Sequence, residues 1–262
     1  MSLITLTTDF GSTDWFAGVM RGVILKVNPR GTIVDITHGI PPGDIRAGAF
    51  ALYASCRLFP KGTVHVAVVD PGVGSSRKAI AVRTSNYFLV GPDNGLLSWA
   101  LRNEEVEAIH GLENDEYFLH PVSRTFHGRD IFGPVAAYLS RGVPLRKFGA
   151  ALEDYVHLPW PEPVREEDSL QGEVLYIDRF GNAITNVGTD LPAGFGATTL
   201  IVYKGRRRLC AVADFYETVA SGGAVAVPGS CGLLEIAING GRADRRLGLQ
   251  PGDVITLRPH RP

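Results

Sequence analysis

The chain has 262 residues, 45% hydrophobic and 20% charged, the balance of a globular protein with a sizeable core. Lys and Arg number 26 against 27 Asp and Glu, so no overall field draws it toward nucleic acid or an anionic membrane. Composition excludes disorder, collagen and coiled coil, and no apolar run approaches the ~20 residues of a bilayer span.

The segment Met1 to Asp9 lacks a basic stretch and meets an acid at once, which reads as no signal peptide. Its residues from Ser2 to Thr8 predict a strand, followed by a turn at Asp9-Phe10-Gly11-Ser12. A helix is expected next, capped by Ser12 or Thr13, with Phe16, Val19, Met20, Val23, Ile24 and Val27 on one apolar face and Asn28-Pro29 as its stop. Thr32 to Thr37 predicts a second strand. Asp44 to Leu58 predicts a second helix, entered from Pro41-Pro42-Gly43 and closed by Phe59-Pro60. Val64 to Val69 is apolar on both faces, as suits the middle of a parallel sheet. Ala79 to Thr84 and Tyr87 to Val90 predict a hairpin across Ser85-Asn86, and a further helix is expected near Asp130 to Leu139.

This βαβαβ rhythm predicts an α/β domain with a mainly parallel sheet over residues 1–157. From 158 to 169 the prolines at 159, 161 and 163 and the acids at 166, 167 and 168 predict a stiff, solvated linker. Residues 170–262 carry only short strand patterns, at Glu173 to Ile177, Thr199 to Tyr203, Arg207 to Val212, Ala224 to Val227, Leu233 to Ala237 and Asp253 to Leu257. They predict a smaller all-β, barrel-like domain. Cys56, Cys210 and Cys231 fit neither a metal spacing nor a disulfide framework, so a reducing, cytoplasmic setting is expected.

Polar residues crowd the ends of apolar strands in four places, where open α/β sheets bind ligands. These are Thr8-Asp9-Phe10-Gly11, Asp70 to Arg77, Phe126-His127-Gly128-Arg129-Asp130, and Asp178-Arg179-Phe180-Gly181-Asn182. The Gly-rich run after Asp70 is not a phosphate loop, because it lacks the required glycine register and a strand pattern follows it. Taken alone, Asp70 and Arg77 read as a capped turn with an ion pair, His127 as a satisfied histidine, Asp130 as a helix cap, and Asp9 as a turn residue. No histidine pair has the H-x-x-x-H spacing, so no metal is expected. Position by position, the residues describe a ligand-binding α/β protein with no declared chemistry.

Taken together, the clusters resemble a family. Thr8-Asp9-Phe10-Gly11, Val69-Asp70-Pro71-Gly72-Val73-Gly74 with Arg77, and Gly91-Pro92-Asp93-Asn94-Gly95 come in that order. Phe126 to Asp130, Asp178-x-Phe180-Gly181-Asn182-x-x-Thr185-Asn186, and Glu235-Ile236-Ala237-x-Asn239-Gly240 follow. The pattern, spanning about Ile4 to Leu257, is similar to the S-adenosyl-L-methionine hydroxide adenosyltransferases, relatives of the fluorinase and chlorinase enzymes.

The resemblance implies that water or hydroxide attacks C5′ of S-adenosylmethionine (SAM) and expels L-methionine, leaving adenosine. It implies no cofactor, SAM being the substrate, and a homotrimer with sites at subunit interfaces. It maps a catalytic triad onto Asp70, Arg77 and His127, with Arg77 stabilising the oxygen nucleophile. Of the two possible proton acceptors, His127 is the better expectation, since an Asp beside an Arg is a poor base.

Asp9 matches the acid that grips the ribose hydroxyls. Asp14 and Asp178 match acids around the methionine ammonium, and Ser230 a hydroxyl near its carboxylate. Phe180, Asn182 and Phe215 match adenine contacts, completed by the backbone of Asn239 and Gly240. Phe126 and Glu235 are carried over as further substrate-binding positions. Gly128 stands where the fluorinase has a halide-binding serine, Asp70 where it has a tyrosine, Cys231 where it has an arginine, and Phe16 where it has a serine near the ammonium. Two other readings are a chlorinase-type halogenase and a SAM or adenosine sensor without turnover.

Overall fold

The computed structural model describes residues 2–190 and 199–260. It divides into two compact units, Met1–Pro159 and Trp160–Pro262.

In the first unit, β1 (Leu3–Thr8), α1 (Phe16–Val27), β2 (Thr32–Thr37), α2 (Ile45–Ser55) and β3 (Val64–Val68) form the expected βαβαβ core. β4 (Ala79–Thr84), β5 (Phe88–Pro92), α3 (Ser98–Leu101) and β6 (Val106–Gly111) follow, then α4 (Gly133–Ser140) and the short β7 (Ala151–Leu152). The seven-stranded sheet has the order β2-β1-β3-β5-β4-β6-β7. Pairing is parallel from β2 through β5 and antiparallel from there to β7, so the sheet is mixed.

α1 and α4 pack on each other over Ile4, Leu6, Val64, Val66 and Val68. Strand alternation turns Thr5 and Thr7 to the other face, where α2 packs on α3 and lies against β1 and β2. His65 belongs to that second face. It is fully buried, its Nδ1 lies 2.7 Å from Thr5 Oγ1, and its ring meets Phe59 and Tyr87 edge-on. Burial pushes the His65 imidazole down to about 4.

Several local expectations are corrected. α1 begins at Phe16 with Trp15 at its cap position and no side-chain cap, so neither Ser12 nor Thr13 caps it. Ser12 and Thr13 lie instead in the exposed bend that follows the Asp9–Gly11 turn, where Gly11 is left-handed at φ 70°. α2 is capped by Asp44, which accepts from the Ala47 N–H, and its last residues tighten into a 3₁₀ turn at Cys56–Leu58. Asp130 is not a helix cap, because it lies within a π-type turn at Gly128–Phe132 that runs into α4.

The second unit contains β8 (Val164–Glu166), β9 (Ser169–Ile177), β10 (Ala183–Gly188), β11 (Leu200–Lys204) and β12 (Arg207–Val212). β13 (Ala224–Pro228), β14 (Leu233–Ile238), α5 (Ala243–Leu247) and β15 (Val254–Pro259) complete it. The order β10-β14-β13-β12-β11-β15-β9 closes on itself through a β9–β10 pairing, making a seven-stranded barrel. Val174, Val187, Val202, Ala226, Leu234, Ile236, Ile255 and Leu257 fill its interior. β8 joins β9 from outside the ring, so part of the expected linker is a strand. β10, short and without a strict alternation, was not foreseen, and neither was α5.

Candidate active site

In the order β2-β1-β3, α1 leads from β1 to one side and α2 returns the chain to the other. The carboxyl ends of β1 and β3 therefore flank a topological switch point, where open sheets bind ligands. Asp9 follows β1 directly, and Asp70 stands two residues beyond β3. Both line a cleft of about 190 Å³ whose wall also includes Phe10, Phe126, His127 and Gly128.

The loop that leaves β3 returns Arg77 to Asp70. Arg77 Nε donates to Asp70 Oδ1 at 2.9 Å, and Nη2 donates to Oδ2, a bidentate pair with side chains only 10% and 4% exposed. The same Nη2 lies 2.8 Å from His127 Nδ1. A guanidinium can only donate, so Nδ1 accepts and the neutral ring carries its proton on Nε2. Burial, and then the Arg77 cation, push the His127 imidazole below its usual value. Asp70, Arg77 and His127 thus form one hydrogen-bonded group. The expectation that His127 takes the proton meets an obstacle here, since its available lone pair already receives Arg77.

Glycine makes this approach possible. Gly74 has φ 76°, and a Cβ there would stand 2.2 Å from the Arg124 carbonyl oxygen, so the loop backbone rests directly on the segment that carries His127. Buried Asp130 holds that segment, accepting from the Ser123 N–H at 2.8 Å and from both Nε and Nη2 of Arg129. Phe10, Phe16 and Phe126 pack tilted or edge-on at centroid distances of 5.2 to 6.0 Å. A Cβ on Gly128 would lie 3.2 Å from the Phe10 ring and 3.3 Å from the Phe126 ring, so these rings leave little room for a serine.

Asp9 Oδ2 accepts from the Gly43 N–H at 2.8 Å, which fixes the carboxylate while its other oxygen makes no hydrogen bond with a described residue. Asp14 lies in the exposed approach to α1 and is not brought to the cleft wall.

The second unit carries its own cavity, about 520 Å³, lined by Phe180, Asn182, Asn239 and Gly240 together with Tyr216 and Arg242. Phe180 is 74% exposed at the tip of the turn after β9, and Phe215 is 58% exposed. Asp178 closes that turn, accepting from the Asn182 backbone at 2.8 Å and from its side-chain amide at 3.2 Å. Asn239 donates from Nδ2 to the Val219 carbonyl at 2.8 Å. Ser230 sits with Cys231 in the turn between β13 and β14.

Glu235 is buried on β14 outside the cavity lining, and its carboxylate receives the Tyr216 hydroxyl. Burial and that hydrogen bond push the Tyr216 phenol up to about 12. Tyr216 and Arg242 escaped the sequence reading. The aromatic pair Phe215-Tyr216 was the available signal for the first, and nothing marked the second. Among the described residues, no cluster of three or more His, Cys, Asp or Glu side chains could hold a metal ion.

Fold and sites define a two-unit protein that combines an acid–guanidinium–imidazole cleft on an α/β sheet with an aromatic and amide-lined cavity on a β-barrel. Residues 4–149 match the SAM hydroxide adenosyltransferase N-terminal domain, and residues 172–256 match the C-terminal domain of the same name. The chain belongs to this family. It is 40% identical to a protein of Salinispora arenicola named (R)-S-adenosyl-L-methionine hydrolase, over 97% of each chain. A protein of Nocardia brasiliensis named fluorinase is further away, at 29% identity over 98% of this chain and 96% of its own. Among solved structures, an uncharacterized conserved protein from Thermotoga maritima superimposes with a TM-score of 0.91 at 39% identity, covering 98% of this chain and 99% of its own.

Proposed function

We propose that the protein hydrolyses S-adenosyl-L-methionine to adenosine and L-methionine by in-line attack of water at C5′. The observation that carries this reading is the Asp70–Arg77–His127 group at the switch-point cleft, with Asp9 on the same wall. The sulfonium leaves as a neutral thioether, so no acid has to protonate it. What the site must supply is an oriented oxygen nucleophile, shielded from bulk water. As the C5′–O bond forms, the C5′–S pair departs with methionine. The attacking oxygen turns into an oxonium, acidic enough that a carboxylate suffices to take its proton.

Asp70 keeps unused lone pairs on both oxygens, whereas the His127 lone pair is occupied, so Asp70 is assigned the proton. Arg77 holds Asp70 in register, and His127 holds Arg77. Asp9 is assigned the ribose hydroxyls, and Asp14, Asp178 and Ser230 the methionyl end. Phe180, Asn182, Phe215 and the Asn239–Gly240 backbone are assigned adenine, with Phe126 packing beside the ribose and Glu235 contributing through Tyr216. No cofactor takes part in this scheme.

The relative from Salinispora bears in its name the (R) epimer at sulfur, and the same epimer is taken as the substrate here. The assembly is proposed to be a homotrimer in which sites form at subunit interfaces, and the setting to be cytoplasmic, in keeping with three free thiols. Light scattering on the eluted protein tests the first, with a mass of three chains expected and a monomer overturning it.

Incubation with each sulfonium epimer in ¹⁸O-water, followed by mass spectrometry, tests the reaction. Adenosine labelled at O5′ and methionine in equal amounts are expected. Unlabelled adenosine, a 5′-chloro product in chloride, or tight binding without turnover would each overturn it.

A further inference from the structure

A hydrogen-bonded chain outside the catalytic group runs from an exposed ion pair to the turn that carries Asp9. Its members are Arg21 on α1, Asp35 on β2, His38 just after β2, and Thr8 at the end of β1. Arg21 grips Asp35 with both Nε and Nη2. His38 Nε2 stands 3.2 Å from Asp35 Oδ1, and His38 Nδ1 stands 2.8 Å from Thr8 Oγ1. Thr8 is fully buried, and its Oγ1 accepts the Phe10 N–H at 3.2 Å.

Thr8 Oγ1 accepts the Phe10 N–H and keeps both its hydrogen and a second lone pair for His38 Nδ1, so this link holds for either tautomer of the ring. His38 Nε2 faces both an acceptor, Asp35 Oδ1 at 3.2 Å, and a donor, Arg21 Nη2 at 3.3 Å. Partial burial works to raise the Asp35 carboxyl, but hydrogen bonds from Arg21 and His38 hold it below its usual range, so it remains an acceptor. The backbone closes the same junction, with Gly11 N–H donating to the His38 carbonyl at 2.7 Å. The turn Asp9–Gly11 is thus tied at both its ends to His38.

The geometry points to Thr8 and His38 as positioning residues that hold the Asp9 carboxylate in place for the ribose hydroxyls, with Asp35 and Arg21 fixing the ring of His38. This inference rests on the ribose role assigned to Asp9 above. Neither residue lines the cleft, so any effect on substrate passes through Asp9 and Phe10.

The test compares calorimetric binding of adenosine and 2′,3′-dideoxyadenosine, and KM against kcat for SAM, in wild type, Thr8→Val, Thr8→Ser and Asp35→Asn. Thr8→Val is expected to weaken adenosine about tenfold, as losing one hydrogen bond worth ~1.4 kcal/mol would, and to leave the dideoxynucleoside unchanged. KM should rise by the same factor with kcat within about twofold, and Thr8→Ser, which keeps the hydroxyl, should return both to within about twofold of wild type. Asp35→Asn lies at the exposed end, so it gives an independent reading if Thr8→Val folds poorly, and about threefold weaker adenosine binding is expected. A wild type that binds the two nucleosides alike overturns the ribose role of Asp9 and this inference with it. A wild type that discriminates, with variants that discriminate equally well or weaken both nucleosides equally, overturns the positioning inference alone.

Discussion

The two units hold their functional groups in opposite ways. In the α/β unit, Asp70, Arg77 and His127 are mostly buried, hydrogen-bonded to one another, and fixed by rigid strand ends and by a glycine loop resting on a neighbouring backbone. In the barrel unit, Phe180 and Phe215 project into solvent from turns, and the amides of Asn182 and Asn239 are oriented by local hydrogen bonds. The first arrangement suits chemistry, which depends on sub-ångström placement of a nucleophile. The second suits recognition, in which aromatic faces close on a flat base. Damage to the first should therefore appear in turnover and damage to the second in affinity.

The largest expected effect is that of Arg77→Ala. It removes the one donor that Asp70 and His127 share, and kcat should fall by about 10³-fold while SAM affinity changes by less than about threefold. Single-turnover rates and calorimetry read the two separately. An equal loss in both would erase the distinction between the units.

Acid should separate the units by stability. The His65 imidazole sits at about 4 when folded against ~6.5 unfolded, so the unfolded chain binds the extra proton between those values. Its contribution is complete above ~6.5 and is lost as pH falls to about 4, roughly 3 kcal/mol in all. His127, also lowered, acts in the same direction. The barrel unit contains a single histidine, His260. Hydrogen exchange at pH 4.5 and 7 should show protection lost in β1 and β3 before the barrel strands, and an order reversed from this would refute the assignment.

Gly128→Ser probes the nucleophile pocket. Its Cβ would have to displace the Phe10 or Phe126 ring, and hydrolysis should fall about tenfold with no 5′-chloro product in molar chloride. Chlorination would mean that this one side chain decides between water and halide. The smallest effect is that of Phe180→Ala, for which KM should rise about fivefold at nearly constant kcat, the worth of one aromatic contact. A kcat loss larger than the KM change would place the ring in the chemistry instead.

Much of this was legible because the relevant signals are local. Alternation and turn residues marked β1, β2, β3 and the hairpin of β4 and β5. The polar clusters at strand ends mark Asp9, Asp70, His127 and Asp178. Failures came where a local signal competed with a distant partner. Ser12 and Thr13 look like caps, yet they lie in an exposed bend ahead of α1, which starts only at Phe16. The proline and acid run from 158 looks solvated throughout, yet β8 pairs there with β9. Asp130 looks like a cap but is consumed by Ser123 and Arg129.

By itself, then, the sequence determined the fold class and the residues with chemical potential, because periodicity and composition act over a few residues at a time. Tertiary structure alone decided how those residues are used. The lone pair of His127 is taken by an arginine 50 residues away, and Glu235 is spent on Tyr216 at a separation of 19. Thr8 is wired to Asp35 through a histidine from the next strand's end. Hydrogen bonds have direction and saturate, so a group's role depends on which partner the fold brings within reach of it, and that is settled only when the chain is folded.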